Sequence, residues 1–170
     1  MSDPTFNQLL DDVAAKTPAP GGGSSAAWAT ALAAALVEMT AAFAEESGGA
    51  GRARELRAQA LGLAERELTA YQPVLDALRL PKENPARAEG VRQALSDAAD
   101  SPLEIATTAA EVAGLAAELA ATGNRTLEGD ANTAAELARA ARRAAARLVE
   151  INLSGREDDP RLAEARALLA

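Results

Sequence analysis

The sequence predicts an all-α fold, an antiparallel up-and-down bundle of long helices, and three observations carry that expectation. Apolar residues make up 48% of the 170 residues while aromatics make up only 2%, so alanine, the best helix former, supplies much of the apolar content. Large side chains recur at spacings of three and four, the helical period. Proline, glycine and capping residues punctuate the chain at helix-length intervals, and no alternating strand pattern is visible. The length fits one domain spanning residues 1–170, and small alanine side chains let helix backbones approach closely.

The elements follow in order. Asp3-Pro4 reads as N-cap and first helical position of a short helix to about Ala15. Lys16 to Gly23, KTPAPGGG, cannot continue it, because its prolines and glycines break the pattern. A second helix is expected from Ser24 or Ser25 to about Glu46. Its stripe of Trp28, Leu32, Leu36, Met39 and Phe43, with alanine on the other faces up to Glu38, predicts a central, largely buried helix. The apolar run from Ala26 to Met39 is broken by Thr30 and Glu38 and reads as too short to span a bilayer.

A third helix is expected from about Arg52 to Arg79, kinked at Pro73. Asn84-Pro85 caps a fourth of about sixteen residues. Ser101-Pro102-Leu103-Glu104 reads as a capping box opening the fifth, which stops near Gly123 as a left-handed C-cap. On that helix Glu104, Glu111 and Glu118 repeat every seven residues. Ala106, Ala110, Ala113, Ala117 and Ala121 form a small-residue face there, suited to packing within the subunit or to a subunit interface. A sixth helix starts between Gly129 and Asn132 and reaches about Leu153, and Asp159-Pro160 opens a short terminal one.

The formal net charge is −8 and the sequence pI is near 4.7, which argues against a nucleic-acid binder with a basic stripe. There is no cysteine and no histidine, so disulfides, thiolate metal sites and the commonest general base are excluded. Proton transfer must come from carboxylates, Lys16, Lys82, Tyr71, the backbone or water. The N-terminus shows no basic-then-apolar signal pattern, and the expected location is the cytoplasm, away from membranes.

Some polar residues fall where the core should be. On the third helix Leu56, Ala60, Leu63, Ala70, Tyr71, Val74 and Leu78 share a broad face that also contains Glu67. On the sixth, Ala134, Leu137, Ala141, Leu148 and Asn152 share a stripe with Asp130, while the arginines at 139, 142, 143 and 147 point elsewhere. Burial raises a carboxyl pKa, as a general acid near neutral pH requires. Each residue also has a plainer role open to it. Glu67 fits the edge of its face, Asp130 a helix N-cap, and Asn152 a donor to carbonyls at a helix end. The segment Pro20-Gly21-Gly22-Gly23-Ser24-Ser25 leads straight into a helix, so backbone N–H groups and the positive dipole end can face an anion or carbonyl oxygen. It lacks the lysine of a phosphate-binding loop and follows no strand.

Together these segments resemble the cyclodeaminase/cyclohydrolase family, which includes the C-terminal domain of formiminotransferase-cyclodeaminase and stand-alone methenyltetrahydrofolate cyclohydrolases. The residues that carry the likeness are Thr17-Pro18-Ala19-Pro20-Gly21-Gly22-Gly23-Ser24, then Leu80-Pro81-Lys82, then Asp130 opening an alanine-rich helix that ends in Ile151-Asn152-Leu153. The resemblance covers roughly residues 5 to 155 in matching order and spacing. It implies a helical homodimer and a tetrahydrofolate derivative as substrate, handled without a metal or prosthetic group.

By the same resemblance Glu67, before Tyr71, is the acidic residue of the third helix, and Asp130 is the aspartate of a Ser-Asp pair. Both are then expected to transfer protons and stabilise charge. Lys82 would hold a carboxylate or a polar pterin group, Gly21 to Ser25 would bind through backbone donors, and Asn152 would orient a polar group. The chain departs from the family pattern at Gly129, where the pair has serine, and at Leu148, where Asn-Val is usual. A glycine is also replaced near Arg143. The implied reaction is cyclodeamination of 5-formiminotetrahydrofolate or hydrolysis of 5,10-methenyltetrahydrofolate. A non-catalytic folate-binding member and a structural helical dimerisation module are the alternatives.

Overall fold

A computed structural model describes residues 5–44 and 48–170. The Asp3-Pro4 cap lies outside them, and the first helix, α1 (Phe6–Ala14), is capped instead by Thr5. The Thr5 hydroxyl accepts from Gln8 N while the Gln8 side chain accepts from Thr5 N, a reciprocal capping box. After the glycine-rich segment come α2 (Gly22–Ala42), α3 (Gly48–Ala70), α4 (Gln72–Arg79), α5 (Arg87–Asp97), α6 (Asp100–Thr122), a 3-10 turn (Arg125–Leu127), α7 (Glu128–Asn152) and α8 (Pro160–Ala167).

The core is a four-helix bundle of α2, α3, α6 and α7. α2 packs on α3 and α7, and α6 closes the bundle against α7 and α3. Alanine dominates the contact surfaces: Ala33, Ala34, Ala53, Ala116, Ala134 and Ala138 are fully or almost fully buried beside Val37, Leu56 and Val112. A second cluster at the other end joins Leu63, Ile105, Val149 and Leu153 to Ala27, Ala64, Ala106 and Ala145, with Leu162 of α8 beneath. Each of these large side chains contributes roughly 1.5–3 kcal/mol by leaving water.

Several helix ends differ from expectation in position or in geometry, for physical reasons. The third helix breaks at Tyr71 instead of bending, because Pro73 cannot donate to the preceding turn; Val74 N and Leu75 N both return to Tyr71 O. The fourth helix is shorter than expected, since Asn84 Oδ1 accepts from Ala86 N and holds the chain in a turn before Arg87. α6 begins at Asp100, so Ser101 lies inside the helix and caps nothing. Gly123 does end α6 but with φ −79°. Glycine is needed there for space, because a Cβ would stand 2.5 Å from Leu119 O.

The stripe on α2 is inverted relative to the expectation. Its alanine and threonine faces are buried, whereas Leu32 is 54% exposed, Phe43 is 65% exposed, and Trp28, Leu36 and Met39 are only partly covered. By length and hydropathy α2 qualifies as a membrane span, but its buried faces are occupied by α3, α6 and α7. On α6 the small-residue face mostly packs within the subunit, with Ala106 and Ala113 buried and Ala121 exposed. Glu104 and Glu111 pair with Arg66 and Arg52 of α3.

Candidate functional site

α2 starts at Gly22, two residues earlier than the serines, with Gly21 as an N-cap that provides no side-chain bond. The first-turn amides of Gly22, Gly23 and Ser24 are therefore left for another acceptor. Ser25 does not point outward: its hydroxyl donates to Gly21 O at 2.8 Å. Ser24 is buried, its hydroxyl directed at Ala64 O on α3 at 3.5 Å.

Glu67, three residues further along α3, lies directly on this first turn. A Cβ built on Gly23 would sit 1.7 Å from Glu67 Oε2, so the glycine makes the room in which the carboxyl lies. Glu67 is half-buried, and its Oε1 is shielded from water with no hydrogen-bond partner. Burial pushes its pKa up; the neighbouring Ser101 hydroxyl and the Arg66 charge pull it back only in part. Ser101 Oγ is itself buried and forms no well-placed hydrogen bond. Sequence reasoning missed Ser101 as a site residue because the Ser-Pro-Leu-Glu pattern reads as a cap.

Leu148 of α7 closes the other flank, its Cδ1 3.8 Å from where a Cβ on Gly22 would be. Below it, Asn152 Nδ2 donates to Ala98 O at 2.9 Å. That bond gives Asn152 the helix-end role and ties α7 to the corner before Ser101. One end of the bundle thus gathers Gly21 to Ser25, Glu67, Ser101, Leu148 and Asn152.

The structure does not bring Asp130 to this place. It lies in the first turn of α7, whose N-cap is Leu127, so the N-cap reading is also set aside. Eighteen residues separate it from Leu148, ~27 Å at the helical rise. Lys82 is exposed in the turn between α4 and α5, where Asn84 N donates to Pro81 O. A depression of about 1010 Å³ lies at the opposite end beside Phe43, Arg52, Leu119 and Asn124 and contains none of these residues.

A desolvated carboxyl with a raised pKa, beside uncapped amides at a helix N-terminus, suits proton transfer to a ligand held by backbone donors. A profile of the formiminotransferase-cyclodeaminase family matches residues 5–169, which includes every element of this site. The chain belongs to that family. It is 34% identical to a methenyltetrahydrofolate cyclohydrolase of Methylorubrum extorquens, over 98% of this chain and 89% of that protein. It is 31% identical to the formimidoyltransferase-cyclodeaminase of Mus musculus over 92% of this chain, and it spans about a third of that longer protein (32%). Among solved structures, formiminotetrahydrofolate cyclodeaminase from Thermotoga maritima superposes with a TM-score of 0.84. The two are 26% identical, over 96% of this chain and 87% of that one.

Proposed function

We propose that this chain is a one-carbon folate enzyme that hydrolyses 5,10-methenyltetrahydrofolate, cyclodeaminates 5-formiminotetrahydrofolate, or does both. The observation that carries the reading is the Glu67 carboxyl seated on Gly23 with its pKa raised by burial. In hydrolysis, water attacks the cationic methenyl carbon and Glu67 takes one proton from it; Glu67 then returns that proton to the ring nitrogen N5 as the carbon–N5 bond breaks, and the remaining O–H proton leaves to solvent as the formyl C=O forms on N10. In cyclodeamination, N10 attacks the formimino carbon, and Glu67 delivers a proton to the departing ammonia. The uncapped amides of Gly22 to Ser24 hold a carbonyl or carboxylate oxygen of the folate. Lys82, on the exposed α4–α5 turn, meets the ligand's outer carboxylate. No step in this scheme uses a metal or prosthetic group. We extend the reading to a cytoplasmic homodimer, supported by the exposed apolar stripe on α2.

Parallel assays separate the two reactions. Loss of methenyl absorbance without ammonia release from the formimino compound assigns hydrolysis, and the converse assigns cyclodeamination. One observation favours a second reading, a member that binds folate without turnover: Leu148 puts an aliphatic group against Gly22 where the family pattern carries a polar one. Folate-induced thermal stabilisation with no consumption of either substrate would establish that reading.

A further inference from the structure

Ser101 carries a hydroxyl that the fold of the chain does not use. The residue is only 8% exposed, and its Oγ is shielded from water with no hydrogen-bond partner among the described residues. Other hydroxyls of α6 are satisfied within the helix: Thr107, Thr108 and Thr122 donate to the carbonyls of Leu103, Glu104 and Glu118, one turn back. Polar groups in the corner before α6 are engaged too, Ser96 Oγ by Arg161 and Ala98 O by Asn152. A buried hydroxyl that makes no bond is costly, so Ser101 calls for a partner.

The course of α3 against α6 supplies one. Arg52 pairs with Glu111 and Arg66 with Glu104, so the two helices run antiparallel. Just past the second pair α3 reaches Glu67, where α6, a turn before Glu104, presents Ser101. Glu67 Oε1 is likewise shielded from water and partnerless, while its Oε2 lies over Gly23. A buried donor and a buried acceptor, neither otherwise engaged, thus stand side by side. We infer that Ser101 is the positioning residue of Glu67: its hydroxyl donates to Oε1 and leaves Oε2 as the oxygen that exchanges protons with the ligand at the glycine-rich turn.

The value of this arrangement for turnover rests on the folate reading; the hydrogen bond itself does not. A hydroxyl donating to Oε1 makes that oxygen the poorer site for another proton. The proton taken from water therefore goes to Oε2 and returns from there to N5. The bond also favours the charged form of Glu67 and offsets part of the rise caused by burial. Nearby charged groups are committed elsewhere. Arg66, beside Glu67 on α3, is tied to Glu104 of α6, and Asp100, beside Ser101, is tied to Arg161. Tyr71, one turn further along α3, is exposed, and α2 has no charged residue before Glu38.

Carboxyl-carbon NMR of glutamate-labelled protein reads the bond without any substrate, the Glu67 resonance being assigned by its loss in Glu67→Gln. Ser101→Ala is expected to move the Glu67 titration up by about one pH unit at unchanged helicity. In turnover the same variant should lose about 10-fold in kcat with KM within about two-fold, and the Glu67 limb of the kcat/KM profile should move up with the NMR value. In a Glu67→Gln background Ser101→Ala should change nothing further. A Glu67 titration that stays in place, or an equal kcat loss in the Glu67→Gln background, makes Ser101 merely structural and overturns the inference. A moved titration with unaltered turnover overturns the positioning role. If the wild type consumes no folate, the functional reading fails, and the titration still decides whether Ser101 holds the carboxyl.

Discussion

The carboxyl of Glu67 fills the space that a side chain on Gly23 would need, with Oε2 1.7 Å from the position of a Cβ there. The neighbouring position is different, because a Cβ on Gly22 would make an ordinary contact of 3.8 Å with Leu148. Gly23→Ala is therefore expected to displace the tip of a flexible side chain at small cost in stability while removing the carboxyl from its place. Turnover should fall at least ~10-fold with helicity unchanged, whereas Gly22→Ala stays near wild type. Steady-state kinetics on the two variants check this, and equal losses would count against the role given to Gly23.

Glu67 also links the site to stability. Because burial raises its pKa, the folded protein holds this proton more tightly than the unfolded chain. The resulting stabilisation is complete below the ordinary value of 4.5 and is lost as pH rises through the folded value. Glu67→Gln has nothing to ionise and escapes the loss. Its melting temperature relative to wild type should increase from about pH 4 to about pH 8, measured by thermal denaturation at several pH values.

Arg161 of α8 holds the corner that precedes Ser101. It donates to Ser96 O and Ser96 Oγ, both at 2.8 Å, to Asp100 at 2.5 Å and to Asp159 at 2.7 Å. Replacement by alanine leaves those acceptors without their charged donor and should cost about 2 kcal/mol, read by urea denaturation.

The same contact predicts an acid limb. The hydrogen bond from Arg161 holds the Asp159 pKa down at about 2. The stabilisation is present above the ordinary aspartate value and disappears as pH falls through the folded one. Asp159→Asn should remove that part of the acid sensitivity, seen as a flatter stability profile between about pH 4 and about pH 2.

Much of this architecture is legible in the residues. Asp159-Pro160 opens α8 as expected, its carboxylate accepting from Arg161 N, and the helical period locates α2, α3, α6 and α7. Periodicity shows which residues share a face but not which face turns inward. On α2 both the leucine stripe and the alanine faces can pack, and the close approach of alanine backbones puts the small side chains inside. Ser101 was hidden because its local pattern matches a cap, and only the path of α6 past Ala99 shows it within the helix. Glu67 stood out as an acid on an apolar face; that Gly23 makes its seat is a contact between distant segments that no local pattern encodes. The resemblance groups Asp130 with Glu67, and the antiparallel run of α7 separates them within the chain.

The central claim is that Glu67 drives chemistry on a one-carbon folate. The most direct measurement follows methenyltetrahydrofolate absorbance with wild-type protein, Glu67→Gln and a buffer blank, backed by ammonia release from the formimino compound. Consumption of one of the two substrates by the wild type, slowed ~100-fold or more in the variant at unchanged helicity, is the predicted result. Equal rates for the two proteins, or no consumption of either substrate by the wild type, would contradict it.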